Sequence, residues 1–153
     1  MSFHDLIDLG TGTLAKRESR ALILGFEASI RDIPGHMEGD CFPIRHIHAP
    51  GIYAREITLP VGTVLVGKIH RERHINFIER GHVQMFTEFG GLEELSGPCM
   101  LVSEPGTKRT VHVLEETVWT TVHHNPNNET DLEKLEALVI APTFEQFDMK
   151  ELT

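Results

Sequence analysis

Two histidines, His70 and His74, bracket Arg71-Glu72-Arg73 in a run that begins at Gly62-Thr-Val-Leu-Val-Gly-Lys and ends at the Glu79-Arg80-Gly81 turn. On one straight strand, imidazoles at this spacing lie about 13 Å apart, at roughly 3.3 Å per residue. A shared metal ion, with bonds to nitrogen of about 2.1 Å, cannot bridge that gap. If residues 71–73 make a turn, segments 63–70 and 74–80 become antiparallel neighbours and the two rings face each other. The same spacing also fits a helix, but the β-branched flanks favour strands. A third histidine, His112, lies in Arg109-Thr-Val-His-Val-Leu114. Strand alternation puts Thr110, His112 and Leu114 on one face and Val111 with Val113 on the other. With the valines packed outward, His112 points inward and completes a set of three imidazoles. Neutral imidazole is the commonest metal ligand, and three of them leave positions open for water or substrate. The plainer alternative keeps His70 and His74 as surface turn residues and His112 as a satisfied polar group.

Other side chains invite the same weighing. Tyr53 and Arg55 share a strand face and can line a ligand pocket, with the Arg55 fork suited to a carboxylate or phosphate. A cross-strand ion pair at the sheet surface is the favoured reading for them. His123 shares a face with Trp119 and Thr121 and is within reach of the same interior, but its place at the end of a run favours an exposed strand end. His36, His46, His48 and His82 read as solvent-facing. Ser96 and Ser103 lack a nucleophile-elbow context and neither cysteine adjoins a histidine, so covalent hydrolysis is disfavoured. The catalytic residues stay unassigned. Pro105-Gly-Thr-Lys-Arg109 is too short for a P-loop.

The elements that position these residues are mostly short strands. From Cys41 to His123, runs rich in Val, Ile, Thr and Phe alternate with Gly and Pro breakers. Strands are expected near 52–59, 63–70, 74–80, 82–89, 99–103, 109–114 and 117–123. Val64, Val66, Phe77 and Ile78 are expected in buried layers. Helix-leaning segments flank this region. Residues 14–31 place Leu14, Ala21, Leu22, Gly25 and Phe26 near one face, stopped by Pro34-Gly35. Thr130-Asp-Leu-Glu133 reads as a capping box ahead of Leu132, Leu135, Leu138 and Val139, with Pro142 ending the helix. The absence of βαβ alternation favours an antiparallel sandwich or small barrel over a parallel sheet. The expected organisation is an N-terminal helical arm over 1–40, a β-barrel over 41–126 and a C-terminal helix and tail over 127–153.

At 153 residues the chain is long enough for one domain with a real core. Its 40% apolar and 24% charged residues are those of a globular protein. A formal charge of −9 disfavours nucleic-acid and anionic-membrane partners, both of which require a basic face. Cys41 and Cys99 have no metal-type spacing and read as two buried thiols without a disulfide. The N-terminal residues lack the apolar core of a signal peptide, so a soluble protein of a reducing compartment is expected. Unpaired sheet edges need covering, which makes a homo-oligomer the natural expectation, joined through those edges or the N-terminal arm.

From Leu59-Pro60-Val-Gly62 through His70 and Glu79-Arg80-Gly81 to Pro105-Gly106 and His112, the chain resembles the two motifs of the cupin superfamily. The resemblance implies a mostly β, single-domain jelly-roll barrel with helices packed outside. Relative to the Gly81 turn, His70 stands where the second histidine of the cupin pair lies and His74 where the usual glutamate lies. Lys68 replaces the first histidine, and His112 follows Pro105 at a loosened spacing. The implied ligand set is His70, His74 and His112 around a divalent ion such as zinc, nickel, iron or manganese. The wider string, including Gly51-Ile-Tyr-Ala-Arg-Glu56 and Glu116-Thr-Val-Trp-Thr-Thr-Val-His123, is similar to small cupins carried by phages and prophages. That implies a location in the host cytoplasm or on the virion, with virion or other phage-encoded protein partners. Two functions are consistent with it: a metal-binding cupin of unassigned activity, metal-dependent if an enzyme, or a non-catalytic assembly module.

Overall fold

The computed structural model describes Phe3 and residues 16–151. In chain order these form helix α1 (Lys16–Arg31), strands β1 (Ile44–Ala49), β2 (Gly51–Leu59), β3 (Val64–Val66), β4 (Ile69–His70), β5 (His74–Thr87), β6 (Gly91–Ser96), β7 (Cys99–Ser103) and β8 (Thr110–Asn125), helix α2 (Leu132–Val139), strand β9 (Ile140–Ala141) and helix α3 (Phe144–Glu151). The helix expected from Leu14 is described from Lys16; Leu14 lies outside the described residues.

Two long strands organise everything else. β5 pairs with β7 through its first half and with β6 through its second, while β8 pairs along β5 and also with β2 and β3. Sequence reading divides each of these strands in two, at the Glu79-Arg80-Gly81 turn and at the gap left over Glu115-Glu116. In the structure both runs are continuous, and the breaks become irregularities in the β5–β8 register between Ile78 and Val83. Gly81 has φ +106°, and a Cβ there would come within 2.6 Å of the Thr117 backbone. Only glycine lets the strands bend this closely. The bend yields two leaves, β1-β2-β8-β5-β7 and β3-β8-β5-β6, facing each other.

The sheet path is open, ending at β1 and β6, so the expected closed barrel is corrected to a jelly-roll-like pair of leaves. Segments 63–70 and 74–80 are not strand partners either. β3 pairs with β8 and β4 with β9, so the turn at 71–73 joins different sheets.

Leu59, Ile78, Val83, Met85, Val111, Val113 and Trp119 fill the space between the leaves. Outside the second leaf, Ile23 and Phe26 of α1 pack with Phe3 and Phe86, and Val64 and Val66 lie against them. Each such burial stabilises by about 2 kcal/mol. The third cluster, Ile69, Ala141, Phe144 and Phe147, clamps β4 to the C-terminal helices. Phe77, expected in a buried layer, faces outward at 40% exposure, while Ile78 is fully buried. The α2 cap is one residue later than expected: the Asp131 carboxylate accepts from the Lys134 N–H at 3.1 Å. Glu129 occupies the Thr130 and Asp131 N–H groups instead. Both cysteines are free, and Cys41 is exposed rather than buried.

Candidate functional site: an inward histidine cluster

His70 closes the short strand β4. Its N–H donates to the Thr107 carbonyl at 3.2 Å, and its own carbonyl accepts from Gly106 N at 2.8 Å. Arg71 then ties the following turn to the C-terminal segment, through N–H to Val139 O and Nε to Ile140 O, both at 2.8 Å. The turn reverses the chain so that His74 opens β5 beside His70, with ring centroids 4.4 Å apart. The expectation that the 71–73 turn brings the two rings together therefore holds, though by a different pairing.

The third imidazole is His123. It sits on β8 opposite Tyr53 of β2, and alternation with Trp119 and Thr121 points it inward. Its ring lies 5.4 Å from His70 and 5.3 Å from His74, and it is 7% exposed, which excludes the exposed strand end. His112 does not join them. Val111 and Val113 pack between the leaves, so alternation turns His112 to the outer side, against Phe3 at 5.1 Å. Alternation separates His112 from the two valines as expected, but the valine face is the internal one. The signal that could have favoured His123 was the company it keeps: Trp119 on the same face anchors that face in the core.

Burial lowers the proton affinity of all three rings. His70 is pushed down to about 2 by burial, with help from the positive fields of His74, His123 and Arg109. His123 falls to about 4, again by burial first, then His74 and Arg55. Burial also lowers His74, against the opposing hydrogen bond from its Nδ1 to the Glu72 carbonyl at 2.9 Å. A carbonyl only accepts, so His74 Nδ1 carries the proton and, in the neutral ring, Nε2 holds the lone pair. His74 Nε2 is buried without a partner, and so is His70 Nδ1.

The surroundings are a polar network. Asn76, 1% exposed, donates to Ser103 Oγ at 2.8 Å and accepts from Trp119 Nε1 at 3.0 Å and Thr121 Oγ1 at 3.2 Å. Arg109 Nη2 also donates to Ser103 Oγ. Tyr53 is buried, stacks on His123 at 5.9 Å and shares a 2.9 Å hydrogen bond with His46 Nδ1. Arg55, on the same strand face, is paired with Asp40 at 2.7 Å, so its charge is already matched. The cross-strand ion pair expected near here belongs to the other face, between Arg45 and Glu56 at 2.8 Å. His82 is half-buried and pairs with Glu94 at 2.6 Å.

Among the described residues, no three His, Cys, Asp or Glu side chains already converge on a common ion position. His70 and His123 are within 12° of parallel, and an ion must lie near the plane of each ring that binds it. One ring has to turn before both can share a ligand.

No protein-family profile and no curated protein matches this chain. Solved structures do. Ectoine synthase from P. lautus superposes with a TM-score of 0.53 at 12% identity, over 77% of this chain and 87% of that one. Other solved structures similar to this chain are cupin and double-stranded β-helix proteins. An RmlC-like cupin from Methanocaldococcus jannaschii covers 65% of this chain and 89% of its own at TM-score 0.48 and 11% identity. A cupin 2 domain-containing protein from Halorhodospira halophila gives 0.48 and 14%, over 74% and 78%. At such identities the likeness concerns the fold alone, and of these three superpositions the one on ectoine synthase exceeds a TM-score of 0.5. No described helix is long and apolar enough to cross a membrane.

Proposed function

We propose that the chain is a small cupin-like protein whose inward imidazoles, His70, His74 and His123, bind one divalent metal ion. The observation that carries this reading is the pair of buried, unpartnered nitrogens, His70 Nδ1 and His74 Nε2, beside a third buried ring. Buried nitrogens without partners are costly unless something occupies them. The donor chemistry fits: all three rings are held neutral at ordinary pH, and His74 is oriented from behind by the Glu72 carbonyl. The ring orientations fit only after a rotation of His70 or His123. All-nitrogen coordination suits zinc, nickel, iron or manganese in that rotated state. A bound ion would supply Lewis-acid polarisation of a ligand or water. The chain's own part is to hold the rings neutral, to orient His74 and to screen them from bulk water. Calorimetric titration of zinc, nickel and manganese into untagged protein and its His70→Ala, His74→Ala and His123→Ala variants tests this. Negligible heats in all four would end it.

A second reading, assembly, is favoured by a different observation. The outer face of the first leaf carries Ile47, Ile52, Ile75, Phe77, Met100 and Val102, each 39% to 62% exposed. Helix α1 covers the corresponding face of the second leaf only. A second copy of this chain offers the same apolar face and matches it by two-fold symmetry, burying both. A phage-type accessory role would use this face as well.

A further inference from the structure

Arg109 is the buried cation that the histidine reading leaves unexplained. It stands immediately before β8, is 9% exposed, and lies with its guanidinium carbon 5.7 Å from the Trp119 ring centroid. Nη2 donates to Ser103 Oγ, while Nε is buried and has no partner. Two other shielded cations have carboxylate partners. Lys108, the preceding residue, pairs with Glu27 at 3.0 Å, and Arg20 pairs with Glu88 at 2.7 Å and Asp148 at 2.8 Å. Among the described residues no carboxylate forms an ion pair with Arg109; Glu93 reaches it only through a longer-range field. A guanidinium stays charged at every ordinary pH, so this is a largely desolvated charge with one side-chain hydrogen bond and an unpartnered buried Nε.

We propose that Arg109 anchors a small monocarboxylate ligand on the inward face shared with His70, His74 and His123. The free Nε edge of a planar guanidinium is the donor geometry a carboxylate takes. A monoanion matches the surroundings better than phosphate does. Arg109 is a single unmatched cation, Arg55 is already satisfied by Asp40, and the chain carries a net charge of −9. A dianion would remain undercompensated there. The neighbouring Trp119 indole, with Asn76 and Thr121 beside it, supplies an aromatic wall and further polar groups. This inference deepens the metal reading by naming the ligand class of the same face, yet it requires no metal.

The test uses the chelator-treated 153-residue chain at constant ionic strength and neutral pH. Glycolate and inorganic phosphate are titrated separately, read by calorimetry and by the emission of Trp119, the single tryptophan. The expected result is a saturable response to glycolate, with phosphate binding more weakly. Arg109→Gln and Arg109→Lys should each weaken glycolate binding about tenfold or more, since the charged, forked contact is lost or blunted. Arg45→Gln, on the exposed face, should leave it unchanged. Arg109→Met guards against a folding failure: it removes the unmatched charge, so it should abolish binding while raising the melting temperature. A purely structural arginine would lower that temperature instead, and such a result overturns the proposal. So do equal glycolate affinities in wild type and Arg109→Gln, no saturable response, or tighter binding of phosphate. Because these titrations are metal-free, failure to take up zinc, nickel or manganese would refute only the metal reading.

Discussion

His70 and His123 lie with ring centroids 5.4 Å apart and planes within 12° of parallel, joining a strand that pairs with the C-terminal segment to the end of the longest strand in the sheet. The stack depends on two separate folding events. β4 must be clamped by Ile140–Ala141 and the Phe144–Phe147 cluster, and β8 must run unbroken to Asn125. Each ring reaches the interior by strand alternation, and their near-parallel planes set what the pair can bind without a rotamer change.

The first prediction separates His123 from His112. Replacing His123 with alanine should reduce zinc or nickel affinity about a hundredfold, comparable to His70→Ala or His74→Ala, because a neutral buried donor is lost. His112→Ala should leave affinity unchanged and cost about 1 kcal/mol of stability through lost packing on Phe3. An affinity loss at 112 equal to that at 123 would contradict the outward placement of His112 and the inward placement of His123.

Stability should depend on pH through the same rings. In the unfolded chain each histidine takes up its proton near 6.5. In the folded protein His70 does so only near 2 and His123 near 4, with His74 also lowered. Between those limits the unfolded state binds more protons, so stability is fully present above about 6.5 and falls as pH drops. His123 alone accounts for a loss on the order of 3 kcal/mol by pH 4. Urea midpoints of metal-free wild type across this range should slope downward toward acid, and His123→Phe should flatten the slope. A midpoint independent of pH from 7 to 4 would show that the rings are not buried as described.

Much of this was legible from residue order, and the failures have definite causes. The turn at 71–73 was readable because charged residues interrupt two apolar runs. The pairing of the flanking strands was not, since β4 finds its partner in Ile140–Ala141, far along the chain, through contacts no local pattern encodes. Alternation correctly put His112 opposite Val111 and Val113. It carries no sign, however, and a strand between an interior and a covering helix has apolar residues on both faces. Strand β1 was missed because Ile44–Ala49 is an exposed edge strand carrying two histidines and an arginine, which resembles a loop. Strand β6, with Glu93 and Glu94, was missed for a similar reason. The unmatched charge of Arg109 depends on which carboxylates fold near it, and sequence alone does not reveal that.

Gly81 should be intolerant of any side chain. Its φ of +106° is unfavourable for an L-residue, and an added Cβ would meet Thr117 Oγ1 at 2.3 Å and the Glu116 carbonyl oxygen at 2.6 Å. Gly81→Ala should cost about 3 kcal/mol, measured as a shift in denaturant midpoint. Gly62, also at positive φ but with open space around it, should lose only about 1 kcal/mol as alanine. Equal losses would mean that the close approach of β5 and β8 is not what demands glycine.

The outer face of the first leaf gives the assembly prediction. Phe77 and Val102 lie on adjacent strands β5 and β7, and both are substantially exposed. Phe77→Lys with Val102→Lys should convert a dimer to a monomer by light scattering, because paired charges on a buried two-fold face repel and lose solvation. Neither residue points between the leaves, so the fold and any metal uptake should survive. A wild type that is monomeric at high concentration would remove this face as the assembly surface.

The last prediction concerns Asn76, which holds the floor of the cluster together. One buried amide serves Ser103, Trp119 and Thr121 at once, at 2.8, 3.0 and 3.2 Å. Asn76→Leu fills similar volume but leaves the Trp119 N–H and the Thr121 hydroxyl without their acceptor. Each orphaned group costs roughly 1–3 kcal/mol, so the variant should lose about 3 kcal/mol in total. Asn76→Asp keeps the acceptor oxygen while losing the donor to Ser103, and it places a carboxylate in the same network as Arg109. It should therefore retain more stability near neutral pH than Asn76→Leu does, and it should weaken glycolate binding by supplying the anion internally. Denaturant midpoints and glycolate titrations of the two variants check both halves. If Asn76→Asp binds glycolate as wild type does, Arg109 and Asn76 do not share one electrostatic environment.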